Sequence, residues 1–375
     1  MNSNIVIDAR LYGPQHTGLG RYTKNLLVAL KGLPTFNQYH FTLLVYPELL
    51  TEIKKDLGNN FTYVPTNIRH YSLREQLCLP FLLNKLHPDL VHFTHLDKPI
   101  LYFKTSLVTV HDLIRHFSKG PETSTKSSLL YWPKYWGYLL MTRIVLATSY
   151  LIVPSNFWRD YILNKYNFNP KKIITTYEAV DPKFLQKSSK PQSLKSNPSN
   201  YILYTGNLYP HKNIDIVLKA LTKLPSIKLK IICARSVFTK TIEKQVSHYR
   251  LQKQVEFLGF VPDSKFSQIY RQALALVHPS FWEGFSLTGL EAMSLNCPVI
   301  AAKSSCLPEI YGNSALFFDP KDSTTLIDQI LLLQKSDTLR HKLIKLGHLQ
   351  VAKYSWTKTA KGTLSFYEKI IHEKS

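Results

Sequence analysis

Short apolar runs alternate with segments of helix length from one end of the chain to the other. Strands that are apolar along their whole length are typical of parallel sheets covered by helices on both faces. The alternation therefore predicts an α/β fold built on parallel sheets. We expect strands at ten of these runs: 5–7, 41–46, 90–93, 106–110, 150–153, 201–204, 229–233, 255–257, 274–277 and 298–302.

A stretch of different composition separates the first five runs from the last five. Residues 186–200, QKSSKPQSLKSNPSN, hold three lysines, five serines and two prolines, which is typical of an exposed linker. The length of 375 residues also suggests about two domains, at roughly 150 residues for each. We therefore predict two Rossmann-like domains that face each other across a cleft, an N-terminal one at 1–185 and a C-terminal one at 201–356.

The composition is that of a globular protein, with 44% hydrophobic and 19% charged residues, and it excludes a disordered or fibrous chain. The net charge of +22 indicates a negatively charged partner: a polyanion, an anionic membrane surface or a phosphorylated substrate. The four cysteines have neither a C-x-x-C motif nor metal-ligand spacing. Because no signal peptide and no stretch of ~20 apolar residues is visible, we expect a soluble, cytoplasmic protein.

The most informative segment is 278–301, HPSFWEGFSLTGLEAMSLNCPVIA, which reads as a strand end, a loop and a helix from about Leu287. Ligands of open parallel sheets bind outside the carboxyl ends of the strands, and helix starts attract phosphate. The carboxylates of Glu283 and Glu291 are better suited to the hydroxyl groups of a sugar. Alternatively, Thr288 and Glu291 form a capping box at the helix start. The residues alone leave both interpretations open.

A second loop, at 205–213, ends with His211 and Lys212 immediately before a predicted helix that runs through Leu221. A lysine ammonium is a compact charge suited to a diphosphate, although an isolated lysine in a loop is more often simply solvated.

Two further loops follow strands of the first domain. Gly18 and Gly20 precede a helix expected near Arg21, and they would let the backbone approach a ligand there. The third glycine of a dinucleotide-binding fingerprint is missing. His111 ends another strand, where contact with a substrate and a structural hydrogen bond to the next loop are equally good interpretations.

Together these motifs resemble the retaining glycosyltransferases of family 4, which have the two-domain GT-B fold. The resemblance covers nearly the whole chain and includes the glycine-rich loop, the His-Asp strand end, the His-Lys-Asn turn and the E-x7-E pair. A lone E-x7-E pair is a weak pattern, but within HPSFWEGF and EAM, in this order with the other motifs, it is specific. The resemblance also implies that residues 357–375 form a helix that crosses back to the N-terminal domain.

The resemblance implies a role for each matching position. Glu291 would hold the ribose hydroxyls of the nucleotide, Glu283 those of the transferred sugar, and Lys212 would face the diphosphate. His111 would lie beside the reacting carbon, which makes His111, Lys212 and Glu283 the candidate catalytic residues. The implied substrate-binding residues are Gly18, Gly20, His211, Lys212, Glu283, Gly284, Phe285, Ser286, Leu287 and Glu291.

Two of the departures from the family pattern bear on donor binding. His211 stands where the family usually has arginine, and a half-charged imidazole would make the affinity for the donor fall as the pH rises. Ser286 stands where the family usually has glycine, and it would add a side chain close to the donor.

The implied reaction breaks a sugar–phosphate bond, and the leaving diphosphate gains negative charge. Lys212 and the helix amides would stabilise that charge, and no Asp-x-Asp sequence is present. We therefore expect neither a metal nor another cofactor. The donor is a nucleotide-diphosphate sugar. GDP-mannose is the first choice, since the 277–293 segment is most similar to the mannosyltransferases of the family, and a UDP-sugar is the second.

The acceptor is suggested by the charge. Residues 98–172 carry eleven lysines and arginines against three acids, and 131–138, YWPKYWGY, places aromatics beside a lysine. Such a surface is typical of a membrane interface, although an aromatic stripe packed in the core is an equally good interpretation. We expect a glycan or lipid-linked acceptor and peripheral contact with the anionic inner face of the cell membrane.

Two other functions are alternatives to a glycosyltransferase. They are a basic nucleic-acid-binding protein, which we do not expect, and an NAD-dependent oxidoreductase.

Overall fold

A computed structural model describes residues 3–123, 128–186, 200–233 and 237–373 of the chain. The contacts divide the chain into two compact units. The first comprises Met1–Leu113, Trp132–Glu178 and Ser355–Ser375, and the second comprises Ile114–Tyr131 and Ala179–Tyr354. Apart from its two terminal residues, the predicted linker at 186–200 lies outside the described residues.

Each unit is built on one sheet in which all described strand pairs are parallel. The strand order is β3-β2-β1-β4-β5-β6-β7 in the first sheet and β10-β9-β8-β11-β12-β13 in the second. The predicted fold class, two parallel-sheet α/β domains, is confirmed. The strands are β1 (Ser3–Asp8), β2 (Tyr39–Val45), β3 (Thr62–Pro65), β4 (Leu90–Phe93), β5 (Ser106–Thr109), β6 (Tyr150–Val153), β7 (Ile173–Thr175), β8 (Tyr201–Thr205), β9 (Lys228–Ile232), β10 (Val255–Phe257), β11 (Ala275–His278), β12 (Val299–Ala302) and β13 (Ala315–Phe318).

Helices connect the strands and cover the sheets. They are α1 (Thr17–Lys31), α2 (Leu50–Leu57), α3 (Leu73–Lys85), α4 (Ser128–Ala147), α5 (Asn156–Tyr166), α6 (Pro182–Gln186), α7 (Ile214–Leu221), α8 (Thr239–His248), α9 (Asp263–Gln272), α10 (Leu287–Ser294), α11 (Leu307–Tyr311), α12 (Ser323–Lys335), α13 (Asp337–Val351) and α14 (Trp356–His372). None of the helices within the described residues has both the length and the apolar composition that crossing a bilayer requires.

The ten predicted strands are all present, each within two residues of its expected ends. Three strands, β3, β7 and β13, were not predicted, and each lies at an edge of its sheet. All three are partly exposed, so they lack the continuously buried character that marks a central strand. The buried strand pattern therefore locates the centre of each sheet better than its edges.

The start of α1 differs from the expectation. The helix begins at Thr17 rather than near Arg21, so Gly18 and Gly20 lie in its first turn instead of in the preceding loop. Glycine is a poor helix former, which is why the sequence predicted a loop here.

The last helix, α14, belongs to the first unit, where it packs against α1. The Tyr39 hydroxyl at the start of β2 donates a hydrogen bond to Glu368 of α14 at 3.0 Å.

Candidate active site

The order of strands in the second sheet brings two distant segments together. β8 lies next to β11, although 69 residues separate the end of β8 at Thr205 from the start of β11 at Ala275. The connections that follow these two strands run in opposite directions across the sheet, from β8 to β9 and from β11 to β12. Such a switch point is where ligands bind in open parallel sheets. The loop after β8 carries His211 and Lys212, and the loop after β11 carries Glu283.

Lys212 and Glu283 form a direct ion pair at this point. The Lys212 Nζ lies 2.7 Å from Oε1 and 2.9 Å from Oε2 of Glu283. Backbone and side-chain hydrogen bonds hold the two loops together: the Phe281 amide donates to the His211 carbonyl at 2.8 Å, and Asn213 Nδ2 donates to the Pro279 carbonyl at 3.2 Å. The sequence predicted both charged groups for this edge, and the structure brings them into contact.

Glu283 is a buried carboxylate whose charge is compensated on two sides. Burial alone would raise the pKa of Glu283, but the Lys212 ammonium and the hydrogen bond from His278 hold this pKa well below its usual range. His278 Nε2 lies 2.7 Å from Glu283 Oε1. The carboxylate therefore stays ionised at neutral pH, which is the form that accepts hydrogen bonds from hydroxyl groups.

His278 and Tyr311 were not predicted as site residues. The Tyr311 hydroxyl lies 2.8 Å from His278 Nδ1, so the imidazole is held between this hydroxyl and the Glu283 carboxylate. His278 is the last residue of β11, the same kind of position that made His111 a candidate, and that signal could have identified it. Tyr311 lies in α11 and has no corresponding signal in the sequence.

Ser286 occupies a strained position at the start of α10. Its φ of 81° is in the left-handed region, where a residue other than glycine is disfavoured, and this explains why glycine suits the position. The Ser286 hydroxyl makes a very short contact with the Tyr311 hydroxyl and lies 3.1 Å from His278 Nδ1. The hydroxyl is buried among these protein partners, and the expectation that Ser286 adds a side chain close to the donor stays a prediction.

The capping-box interpretation of Thr288 and Glu291 is also wrong. α10 begins at Leu287, so Thr288 is inside the helix and cannot be its N-cap. Glu291 is a buried residue of this helix. The Gly289 amide in the first turn donates to the Tyr311 hydroxyl at 3.1 Å, and it is therefore not available to a phosphate.

Four further predicted residues of the second unit, 284–287, follow Glu283 directly in the chain. Gly284 and Leu287 are half-buried, on either side of the buried Phe285 and Ser286. The Phe285 ring packs edge-to-face on Tyr354, with the ring centroids 5.4 Å apart. Phe285 therefore anchors the loop through its side chain and leaves only its backbone for the predicted contact with a ligand.

His211 is not half-charged. Burial and the neighbouring Lys212 lower the pKa of His211 to about 4, so the imidazole is neutral at physiological pH. A neutral His211 gives no support to the expectation that its titration weakens donor binding as the pH rises.

A pH prediction follows from the neutral His211. Because the imidazole takes up a proton only near pH 4, its charge is constant between about pH 6 and 8. We expect the KM for a nucleotide-sugar donor to have the same pH profile over this range in His211→Asn as in the unsubstituted protein. A KM that rises with pH in the unsubstituted protein and stays flat in the variant would contradict this assignment.

The other three predicted residues, Gly18, Gly20 and His111, lie in the first unit. A Cβ at Gly20 would lie 1.9 Å from the Gly13 carbonyl oxygen, so Gly20 is needed for the close packing of α1 against its preceding loop. A Cβ at Gly18 would have no atom within 4 Å. Of the two glycines, only Gly18 has the open surroundings expected where the backbone approaches a ligand.

Both ring nitrogens of His111 have partners within the first unit. Nε2 lies 2.9 Å from the Thr94 carbonyl oxygen, and Nδ1 lies 3.3 Å from Glu178 Oε1. Burial alone would lower the pKa of His111, but the Glu178 carboxylate and the Thr94 carbonyl raise it overall. These bonds support the structural interpretation of His111, while its role beside the reacting carbon stays a prediction.

Within the described residues, one group has the residue types of a metal site: Asp8, His70 and His95, whose ligand atoms lie within 4.8 Å of one another. The group is poorly suited to a metal for two reasons. Arg10 already pairs with the Asp8 carboxylate at 2.6 Å. The Asp97 amide donates to His95 Nδ1 at 2.9 Å, so Nδ1 is the acceptor nitrogen of the neutral ring and the proton is on Nε2. Nε2 is the buried nitrogen that would have to bind a metal, and its proton blocks that role.

Comparisons with known proteins agree with this geometry. Residues 17–184 match the family described as Glycosyltransferase Family 4, and residues 186–349 match the family described as Glycosyl transferases group 1. The chain is similar to O-antigen chain mannosyltransferase B of Escherichia coli, with 26% identity over 372 residues, covering 94% of this chain and 96% of the relative. It is also similar to O-antigen chain mannosyltransferase RfbU of Salmonella typhimurium, with 28% identity over 337 residues, covering 85% and 87%.

A solved structure shows that the fold is shared. The glycosyltransferase from Rickettsia africae ESF-5 matches with a TM-score of 0.71 and covers 99% of both chains, at 17% sequence identity.

Proposed function

This chain belongs to glycosyltransferase family 4, and on that basis we propose that it transfers mannose from GDP-mannose to a glycan or lipid-linked acceptor with retention of configuration. The observation that carries the proposal is the contact between Lys212 and Glu283 at the switch point of the second sheet. The two O-antigen chain mannosyltransferases among the relatives support mannose as the transferred sugar. A UDP-sugar is the second candidate donor.

Lys212 is the group that would stabilise the leaving diphosphate. Glu283 holds this ammonium at the edge of the sheet before any donor arrives, so the positive charge is already present when a diphosphate binds. Fixed positive charge aimed at a position where negative charge develops is a large source of catalysis. In this proposal the leaving phosphate itself takes the proton of the acceptor hydroxyl.

Glu283 would hold the transferred sugar. When the diphosphate draws the Lys212 ammonium, the hydrogen bond from His278 keeps one oxygen of the carboxylate in place. The ionised carboxylate would then accept hydrogen bonds from two neighbouring hydroxyl groups of a hexose. Glu291, in α10, would hold the ribose hydroxyls of the nucleotide.

We also propose that the reaction needs no metal ion. Lys212 and the amides of Phe285, Ser286 and Leu287, at the start of α10, would supply positive charge for the diphosphate without one. Nucleotide release should therefore be unaffected by a chelator.

The proposed location is the cytoplasm, at the inner face of the cell membrane, with anionic lipid rather than nucleic acid as the polyanionic partner. α4 supports this location, because Trp132 and Trp136 are 47% and 64% exposed on it, while Tyr135 is buried. The exposure of the two tryptophans favours the membrane interpretation over an aromatic stripe packed in the core.

Nucleotide release from a panel of donors tests the proposed function. The purified protein is incubated with GDP-mannose, UDP-glucose and other GDP-, UDP- and dTDP-sugars, with and without mannosides as acceptors. We expect release to be fastest from GDP-mannose and to be equal with and without EDTA. Release that is fastest from a UDP-sugar would overturn the choice of donor, and no release from any sugar nucleotide would overturn the proposed transfer.

A further inference from the structure

The outer face of α3 is unusually apolar for a surface helix. Leu73, Leu77 and Phe81 follow one another at four-residue spacing, so they lie on one side of the helix, and they are 83%, 57% and 73% exposed. The opposite side of α3 packs in the core through Leu79 and Leu83. Three adjacent large apolar side chains on a surface mark an interaction site more often than a single one does.

The segment 98–104 extends this apolar surface. The Ile100 amide donates to Gln76 Oε1 of α3 at 2.9 Å, which ties the segment to the helix. Tyr102 is buried and anchors the segment, while Leu101 and Phe103 on either side of it are exposed.

The topology places α4 on the same face of the sheet. The connections from β3 to β4 and from β5 to β6 run in the same direction across the sheet, and right-handed crossovers then put α3 and α4 on one side. α4 carries its own exposed apolar stripe of Trp132, Trp136 and Leu140. The segment 98–104 links the two helices, because Lys98 also donates to the Thr148 hydroxyl at 3.0 Å, just after the end of α4.

The charge around this face has one sign. Its exposed charged residues in 73–85, 98–105 and 132–147 are all basic: Arg74, Lys85, Lys104, Lys134 and Arg143. The one acid in these ranges, Glu75, is buried and paired with Arg10 at 2.7 Å. An apolar face with a basic rim is complementary to the headgroup region of a bilayer that contains anionic lipid.

We infer that the face formed by α3, the segment 98–104 and α4 docks on an anionic bilayer. The inference rests on the proposed function, because docking of this face would set the orientation in which a lipid-linked acceptor reaches the enzyme. α3 follows β3 and α4 follows β5, so both stripes begin at the carboxyl edge of the first sheet, where ligands bind. A second copy of the chain fits less well, since a two-fold contact would bring the basic rim against itself.

Vesicle sedimentation tests the docking face. The full chain is mixed with phosphatidylcholine vesicles, with and without phosphatidylglycerol, at low and high salt. We expect salt-sensitive binding that requires phosphatidylglycerol, and a partition coefficient at least about tenfold lower for Leu77→Ser/Phe81→Ser. The matched control is Leu349→Ser, an exposed leucine of α13 in the second unit, which should bind as the unsubstituted protein does.

Other outcomes would overturn the inference. Equal binding of Leu77→Ser/Phe81→Ser and the unsubstituted protein would show that this face does not dock, as would no binding to anionic vesicles at all. A dimer that becomes monomeric in the double variant would instead assign the face to a second copy. GDP release from GDP-mannose without vesicles should be the same in all three proteins. If the unsubstituted protein released no GDP, that result would count against the proposed function and not against the docking face.

Discussion

Replacing Lys212 with alanine should lower the rate of sugar transfer by about 10²–10³-fold. In other enzymes, removing one group that stabilises developing negative charge has an effect of this size. The reason is local: Lys212 is the cation that the structure holds against the Glu283 carboxylate at the proposed diphosphate position. The loss should appear in kcat, measured as release of GDP from GDP-mannose at saturating donor. A kcat equal to that of the unsubstituted protein would show that Lys212 does not act on the diphosphate.

A lower rate could also come from a damaged fold, so the variant needs a matched control. Without Lys212, the Glu283 carboxylate stays buried with less compensation, and the free energy of unfolding should fall by about 2 kcal/mol, less than for a fully buried pair because Lys212 is partly exposed. The double variant Lys212→Ala/Glu283→Gln removes the unpaired charge. We expect it to recover most of the lost stability in urea unfolding and to transfer sugar no faster than Lys212→Ala does.

Gly20→Ala should have the largest effect on stability of the single substitutions considered, a loss of about 3 kcal/mol in the free energy of unfolding. The added Cβ would lie 1.9 Å from the Gly13 carbonyl oxygen and 2.9 Å from that of Leu11, both backbone atoms that cannot rotate away. The start of α1 would have to separate from its loop, with loss of the hydrogen bond from the Gly13 amide to the Gly20 carbonyl. Urea unfolding measures the change.

Gly18→Ala is the matched control for Gly20→Ala. It changes the same helix turn, but its Cβ would meet no atom within 4 Å. Since alanine is a better helix former than glycine by about 1 kcal/mol, we expect stability equal to or above that of the unsubstituted protein. A raised KM for the donor with full stability would support the predicted ligand contact of Gly18, and an unchanged KM would remove it. Equal losses of stability in the two variants would contradict the packing role of Gly20.

The centre of each sheet could be predicted because its strands are buried on both faces. β1 has the apolar sequence that such burial requires, whereas the edge strand β3 is partly exposed along its length and ends at Pro65. The start of α1 was misplaced for a different reason. Helix propensity disfavours Gly18 and Gly20, but the contact of Gly20 with Gly13 requires a residue without a side chain.

The candidate site was predictable in its chemistry and less so in its contacts. Lys212 and Glu283 were identified from their loops. Their pairing depends on β8 lying next to β11, and the amino-acid sequence alone does not reveal this strand order. The same limit applies to Tyr311, which reaches His278 from another helix. The charge of His211 depends on how deeply the fold buries its ring, so its neutral state could be found only from the structure.

A crystal structure of the protein with GDP bound is the most direct test of the claim that this pair forms the donor site. We predict that the Lys212 Nζ lies within about 3 Å of a diphosphate oxygen and that the Glu291 carboxylate accepts hydrogen bonds from the ribose. Glu283 should keep its hydrogen bond from His278. GDP bound with its phosphates away from Lys212, and with the Lys212–Glu283 pair unchanged, would contradict the account.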